Sequence, residues 1–196
     1  MSPVFIKLAG ASVCLQVPSN DHVGLFLKLQ NEEETRQYFV RYLPIGRKQE
    51  LDWIDKANTT KDDLVFAIAT HPELCAIGSI GLHRIHWKDR NAHLGIGILE
   101  EHCNSGRGTC AAMLMLSYAF NELGLHKVHW HAIGHNARSI AVAKRCGGEL
   151  VGTHKRQIWR NGKFHDEVVY DIHYDAWKPV WTKFKKQADK SALKGK

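Results

Sequence analysis

The stretch NSGRGT, residues 104–109, joins two apolar segments that have different periods. Residues 93–99 (HLGIGIL) alternate as a strand does, whereas residues 109–123 (TCAAMLMLSYAFNEL) continue as a helix. Gly106 and Gly108 allow the backbone to approach a ligand closely. The start of a helix also leaves N–H groups unpaired, at the positive end of the helix dipole. The junction therefore predicts a loop that holds a phosphate or a pyrophosphate.

Two common nucleotide-binding motifs do not fit this loop. It is not a GxGxxG dinucleotide fingerprint, because the strands predicted before it are antiparallel. It is not a GxxxxGK[ST] phosphate loop either, because no lysine follows its glycines. Hydride transfer and ATP hydrolysis are therefore disfavoured.

The sequence on either side of the loop predicts an α+β domain. Helical patterns come first, a meander of three short-linked strands follows, and a helix, a strand, a helix and a hairpin complete the order. This order indicates one mixed, mainly antiparallel twisted sheet with helices on its faces. Strands are predicted at residues 12–17, 63–70, 75–85, 93–99 and 127–133, and two more in a hairpin across Asn161-Gly162. Helices are predicted from residue 19 and at residues 47–56, 109–123 and 136–147.

Composition and charge indicate one globular domain with a basic end. The 196 residues are 44% hydrophobic and 24% charged, which excludes collagen, coiled coil and general disorder. The formal net charge is +7, and residues 178–196 hold seven Lys and one Asp, so this end alone carries +6. We expect one domain over residues 1–177 and a basic C-terminal helix or tail over 178–196. Contact between that tail and nucleic acid or the ribosome is a weaker expectation.

Cysteine usage and hydropathy point to the cytoplasm. The five cysteines are scattered, odd in number and form no CxxC pair, which favours free thiols in a reducing compartment. The longest nearly unbroken apolar stretch, residues 110–116, is far shorter than the ~20 residues of a membrane helix. We therefore expect a cytoplasmic protein without membrane contact, as a monomer or a homodimer.

Five landmarks in order resemble the GNAT superfamily of acyl-CoA N-acyltransferases. Within it, they are similar to the RimJ/RimL-like branch of ribosomal-protein N-terminal acetyltransferases, and the resemblance covers about residues 10 to 177. The landmarks are AIGSIGL at 76–82, RNAHLGI at 90–96, GRGTCAA at 106–112 followed by YAFNELGL at 118–125, the segment 136–148 that begins NARS, and HDEVVYDI at 165–172 with Trp177.

The resemblance implies where acetyl-CoA binds. In this family the pyrophosphate lies on backbone N–H groups of the glycine loop, and the pantetheine arm runs beside the strand at 95–99. A splay between the fourth and fifth core strands forms the slot, and Gly95 and Gly97 fit a strand that a ligand must approach closely. The implied cofactor-binding residues are Ile98, Leu99, Asn104, Ser105, Gly106, Arg107, Gly108, Thr109, Asn136 and Ser139.

The catalytic groups are less clearly marked. The family often carries Glu where this sequence has His93, and His93, Glu100 or a water relay could accept the proton of the amine. The tyrosine that many members use as general acid would fall at Ala143 and is absent. Ser139, matched to the Ser of NxxS, is either a proton donor to the leaving thiolate or a hydrogen-bond partner of coenzyme A.

The acceptor remains open between several classes. The branch resemblance favours a protein N-terminal α-amine, while polyamines, aminoglycosides and small amino compounds are alternatives. A polyamine acceptor would require a strongly acidic pocket, and Glu32 to Glu34 form the only acidic run. The missing Glu and Tyr also permit a non-catalytic acyl-CoA-binding module. A metal site is disfavoured, although the histidines of HWHAIGH (129–135) alternate along a strand.

Overall fold

The computed structural model describes residues 3–39 and 42–194, which form one eight-stranded sheet with helices. The strand order is β1-β2-β3-β4-β5-β6-β8-β7, and every neighbouring pair is antiparallel except β5 and β6. The α+β class and the mixed, mainly antiparallel sheet are therefore confirmed. The strands are β1 (Val4–Ile6), β2 (Val13–Gln16), β3 (Leu64–Thr70), β4 (Ala76–His86), β5 (Asn91–Ile98), β6 (Lys127–Ile133), β7 (Glu149–Arg160) and β8 (Lys163–His173).

The helices differ from the sequence prediction mainly at their ends. The long helix predicted at 109–123 begins two residues earlier and passes at Tyr118 into a π-helical turn, Tyr118–Glu122. Strand β1 and the one-turn helix after α1 carried too little periodicity to be predicted. The helices are α1 (Val23–Asn31), α2 (Glu33–Arg36), α3 (Arg47–Lys56), α4 (Arg107–Ser117), α5 (Ala137–Arg145) and α6 (Tyr174–Lys194).

Helices cover both faces of the sheet, as β3 shows. Phe66 and Ile68 point into the larger core with α4, whereas Ala67 between them points into a smaller core with α1 and α3. Successive residues of a strand point to opposite faces, so two cores on one strand require helices on both sides. We call these the α4 face and the α1 face.

Strands β5 and β6, which lie on either side of the predicted slot, separate from each other within the sheet. The parallel ladder of β5 and β6 runs from the Asn91/Lys127 pair to the Leu94/Trp130 pair. Beyond that point β5 stays paired with β4 as far as Ile98, and β6 stays paired with β8 as far as Ile133. The splay between the fourth and fifth predicted strands is therefore confirmed.

The hairpin and the C-terminal helix complete the sheet. Asn161 and Gly162 have φ angles of 49° and 75°, the left-handed values that a two-residue hairpin turn requires, so that prediction is confirmed. Helix α6 begins at Tyr174, so the expected boundary after residue 177 falls inside a continuous helix. Trp177 is fully buried in the larger core, and Trp181 and Phe184 stack along the same side of α6. None of the described helices is long and apolar enough to cross a membrane.

Candidate active site

The glycine loop presents backbone N–H groups at the start of α4. Asn104 and Gly106 have φ angles of 57° and 80°, and the left-handed conformation of Gly106 turns the chain directly into the helix. The first hydrogen bond of α4 runs from Cys110 N–H to Gly106 C=O at 3.0 Å. The N–H groups of residues 107–109 precede this bond, so they are free to donate to an anion.

Side chains of the loop hold its shape without using these donors. Ser105 Oγ donates to His102 C=O at 2.7 Å, and Arg107 Nη1 donates to His102 Nδ1 at 3.2 Å. Cys103 Sγ lies 3.5 Å from Leu99 C=O, and burial raises the pKa of this thiol, which keeps it protonated. These hydrogen bonds within the loop therefore hold its conformation and leave the N–H groups of residues 107–109 unused.

Two residues at the start of α4 fit a bound ligand. A Cβ at Gly108 would stand 3.5 Å from Ile98 Cδ1 and 3.8 Å from Val142 Cγ2, so this position lies between the end of β5 and α5. Thr109 Oγ1 is buried and has no hydrogen-bond partner among the described residues. A buried hydroxyl without a partner is costly, and an oxygen of a ligand held by the loop would satisfy it. The predicted loop residues thus fit the diphosphate of acetyl-CoA.

Ser139 lies on the α4 face of the splay. Its Oγ accepts a hydrogen bond from Trp130 Nε1 at 2.9 Å, and Trp130 belongs to the last parallel pair of β5 and β6. Its N–H donates to Asn136 Oδ1 at 3.1 Å, which caps α5 as the sequence predicted for Asn136. Since the hydroxyl oxygen already accepts from Trp130, its proton remains available for donation into the slot.

The α1 face of the splay is lined by glycine and covered by Phe39. Gly95 and Gly97 of β5 point to this face, and a Cβ built on Gly97 would overlap the Phe39 ring. A side chain at position 97 would displace the Phe39 ring, so glycine there serves this packing. No local sequence pattern connects Phe39 with the slot, because positions 39 and 97 are 58 residues apart in the chain.

His93 lies at the base of the same face, within a row of histidines. Its ring centroid stands 4.8 Å from that of His129 and 5.1 Å from that of His131, and His83 is its partner on β4. Burial, followed by the neighbouring charges of His129 and His131, lowers the pKa of His93 to about 4. The imidazole is therefore neutral at pH 7 and is a weak proton acceptor.

Carboxylates of β8 anchor the histidines of β6. His129 Nδ1 donates to Asp171 Oδ1 at 2.7 Å, Lys127 Nζ lies 3.0 Å from Asp171 Oδ2, and His131 Nδ1 lies 3.4 Å from Glu167 Oε2. Burial alone would raise the pKa of Asp171, but hydrogen bonds from Lys127 and His129 outweigh it and lower the pKa. No group of three or more metal-ligating side chains suited to a metal ion occurs among the described residues. The alternation of His129 and His131 is visible in the sequence, but which acidic residues they contact depends on the register between β6 and β8.

Glu100 lies far from His93 and is held by another charge. Its Oε1 accepts from Arg138 Nη1 at 2.6 Å, and this hydrogen bond raises the pKa of Arg138. The pair joins the segment after β5 to the first turn of α5, so it spans the mouth of the splay. Glu100 comes seven positions after His93, and seven steps of extended chain span about 23 Å. The structure therefore does not bring the two candidate bases together.

The fold and the site now define the class of protein. The family model described as "Acetyltransferase (GNAT) domain" matches residues 12–149, and the chain belongs to this family. It is therefore an acetyl-CoA-dependent N-acetyltransferase, and the start of α4 lies beside the two strands that separate.

Individual relatives agree with this class. The chain is 26% identical over 160 residues to "Uncharacterized N-acetyltransferase YoaA" of Bacillus subtilis, covering 80% of this chain and 90% of that protein. It is 34% identical over 100 residues to "Putative ribosomal N-acetyltransferase YdaF" of Bacillus subtilis, covering 51% and 55%. A spermidine N-acetyltransferase from Vibrio cholerae, solved with CoA and spermine, has the same fold, with a TM-score of 0.80, 20% identity and coverage of 85% and 98%.

The lowered pKa of His93 predicts a specific pH dependence of stability. The unfolded chain binds a proton at His93 near pH 6.5, whereas the folded protein does so only near pH 4. Stability from this group is therefore complete above about pH 6.5 and is lost as the pH falls towards 4. Between pH 7.5 and pH 5, the wild type should lose about 1–2 kcal/mol more unfolding free energy than His93→Gln. Urea unfolding measures this difference.

The matched control is His86→Gln, which removes an exposed histidine from β4. It should show the same pH dependence as the wild type. Parallel curves for the wild type and His93→Gln would contradict the description of His93 as a buried neutral imidazole.

Proposed function

We propose that this N-acetyltransferase modifies the N-terminal α-amine of a protein, as RimJ/RimL-like enzymes do. The observation that carries the proposal is that His93 is a weak base and that Glu100 is held by Arg138. His93 has a pKa of about 4, and Glu100 is bound by Arg138 at 2.6 Å. The acceptor must therefore provide its own neutral amine. An α-amine has a pKa of about 7.7–8.0, whereas a lysine side chain has one of about 10.4, so only the α-amine is substantially neutral near pH 7.5.

The two faces of the splay have different roles in the proposed reaction. Acetyl-CoA, which the N–H groups of residues 107–109 would hold by its diphosphate, supplies the thioester-bound acetyl group. The amine approaches from the α1 face, where His93 and the small residues Gly95 and Gly97 lie. As the neutral amine forms the new C–N bond and the C–S bond breaks, Ser139 on the α4 face donates its proton to the departing sulfur, since its oxygen already accepts from Trp130. Water accepts the proton that the amine loses and returns a proton to Ser139, because His93 is too weak a base to compete with an α-amine.

The relatives support the substrate class only indirectly. The name of the YdaF protein refers to a ribosomal acceptor, and the match spans about half of each chain. The Vibrio cholerae enzyme acts on spermidine, but at 20% identity the likeness extends to the fold. Polyamine and other small-amine acceptors are therefore the second candidate, to be separated from the first by measurement.

An acceptor panel distinguishes these candidates. The panel contains peptides that begin with Ala or Ser, the same peptides with a blocked N-terminus and one internal Lys, and spermidine. At pH 7.5 and saturating acetyl-CoA, the free N-termini should show at least tenfold higher kcat/KM, because a far larger fraction of each α-amine is neutral. Coenzyme A release with a thiol reagent gives the rates.

A preference for spermidine or for the internal Lys would contradict the proposed acceptor while leaving the acetyltransferase assignment intact. Calorimetric binding of coenzyme A without turnover of any amine would instead indicate a non-catalytic acyl-CoA-binding module.

Replacement of Ser139 separates its two possible roles. If the hydroxyl is the proton donor, Ser139→Ala should lower kcat about 10- to 100-fold and leave the KM for acetyl-CoA nearly unchanged. If the hydroxyl only binds coenzyme A, the KM should rise instead. Ser139→Thr retains a hydroxyl and should restore most of the rate. Because Ser139→Ala leaves the buried Trp130 N–H without its acceptor, thermal unfolding must show that the variant is folded at the assay temperature.

A further inference from the structure

An open cleft of about 400 Å³ lies on the α1 face of the sheet, beside the splay. The β7/β8 register places Arg160 opposite Lys163 and Ile158 opposite His165. Glu167, two residues further along β8, contacts His131, so this row of residues shares the face of His93. The residues that line the cleft are Gln37, His135, Arg160, Asn161, Lys163 and His165.

The cleft is close to the covered part of β5. Arg160 Nη2 donates to Phe39 C=O at 2.5 Å, and the Phe39 ring lies over Gly97. His135 stands between the end of β6 and Asn136, which caps the start of α5. The cleft is therefore bounded by the same segments that form the mouth of the splay. A group bound in it would be part of a molecule that reaches the slot from the acceptor side.

The lining of the cleft is cationic. Arg160 and Lys163 carry positive charge, and Gln37 and Asn161 add amide groups. The rings of His135 and His165 lie 4.6 Å apart. Burial lowers the pKa of His135, and the charges of His165 and Lys163 lower it further, which reflects a positive local potential.

The acidic side chains of β8 next to the cleft are paired with basic groups, Glu167 with His131 and His154, and Asp166 with Lys155. Asp166 follows His165 in β8, and its carboxylate binds Lys155 Nζ and Arg156 N–H, both at 2.9 Å. None of the six lining residues is acidic. A polycation such as spermidine would therefore meet like charge in the cleft, whereas a carboxylate would meet the positive charges of Arg160 and Lys163.

We propose that this cleft binds a carboxylate of the acceptor, so that the enzyme prefers protein N-termini with Asp or Glu among their first residues. This inference rests on the proposed function and assigns its substrate class. The α-amine enters the slot past the edge of the Phe39 ring that covers Gly97, and an acidic side chain just after the first residue occupies the cleft between Lys163 and His135. A single amino acid offers the same carboxylate chemistry through its own α-carboxylate, and the test includes it as a separate arm.

The test compares peptides of one length that begin with Ser and differ only at positions 2 and 3. These positions carry Asp or Glu, Asn or Gln, or Lys, and free serine forms the single amino acid arm. At low salt, the acidic peptides should show kcat/KM about threefold to fivefold above the amide peptides, and the Lys peptides should be slower still. The advantage should shrink as ionic strength rises, since the cleft is open to water.

Charge reversal at Lys163 supplies the decisive variant. Lys163 is exposed at the start of β8, next to the hairpin turn, so Lys163→Glu should fold. It should reverse the preference, with Lys peptides now faster than acidic peptides. Lys183→Glu makes the same change of net charge on the exposed side of α6, which follows the opposite end of β8, and should keep the acidic preference.

The outcomes separate the two proposals. If the peptides are acetylated at equal rates whatever their charge, or if Lys163→Glu keeps the acidic preference, the cleft proposal is wrong and the N-terminal proposal stands. If free serine is preferred to every peptide, the carboxylate site is supported but the protein acceptor is wrong. If no α-amine is acetylated while spermidine is, both proposals fail.

Discussion

The end of the parallel ladder between β5 and β6 creates the opening in the sheet on which the candidate active site depends. After the Leu94/Trp130 pair, each strand keeps a partner on its other side, so the two strands can separate while most of their backbone groups stay hydrogen-bonded. Ordinary sheets have no such opening, because unpaired strand edges in the interior are costly. The start of α4 lies at the end of β5 and places its free N–H groups at the entrance of this opening.

The sheet then separates two kinds of chemistry. On the α4 face, Trp130 orients the hydroxyl of Ser139 by donating a hydrogen bond to its oxygen, so the serine O–H can donate to another group. On the α1 face, burial of His93 among other histidines lowers its pKa to about 4 and makes it a weak base. The low pKa of His93, the cationic cleft and the glycines of β5 together support the proposed acceptor. Its amine is substantially neutral near pH 7.5, and the residues after its first residue carry negative charge.

The sequence predicted those features that depend on local pattern. The glycine loop, the cap at Asn136 and the Asn161-Gly162 turn each follow from the conformations that a few neighbouring residues permit, and the ordered landmarks then identified the family. The contacts that shape the acceptor side depend on distant residues. Phe39 on Gly97 and the carboxylates beside the β6 histidines follow from the register between strands, which periodicity alone does not determine. The individual roles of His93, Glu100 and Ser139 stay predictions.

The central claim is that main-chain N–H groups at the start of α4 bind the diphosphate beside the parted strands. Nuclear magnetic resonance of ¹⁵N-labelled protein tests this claim directly, by titration with coenzyme A and separately with pantetheine, which lacks the diphosphate. The amide signals of residues 107–109 should shift strongly with coenzyme A and little with pantetheine, while those of residues 95–98 should shift with both. Binding of coenzyme A that leaves the signals of residues 107–109 unchanged would contradict the account.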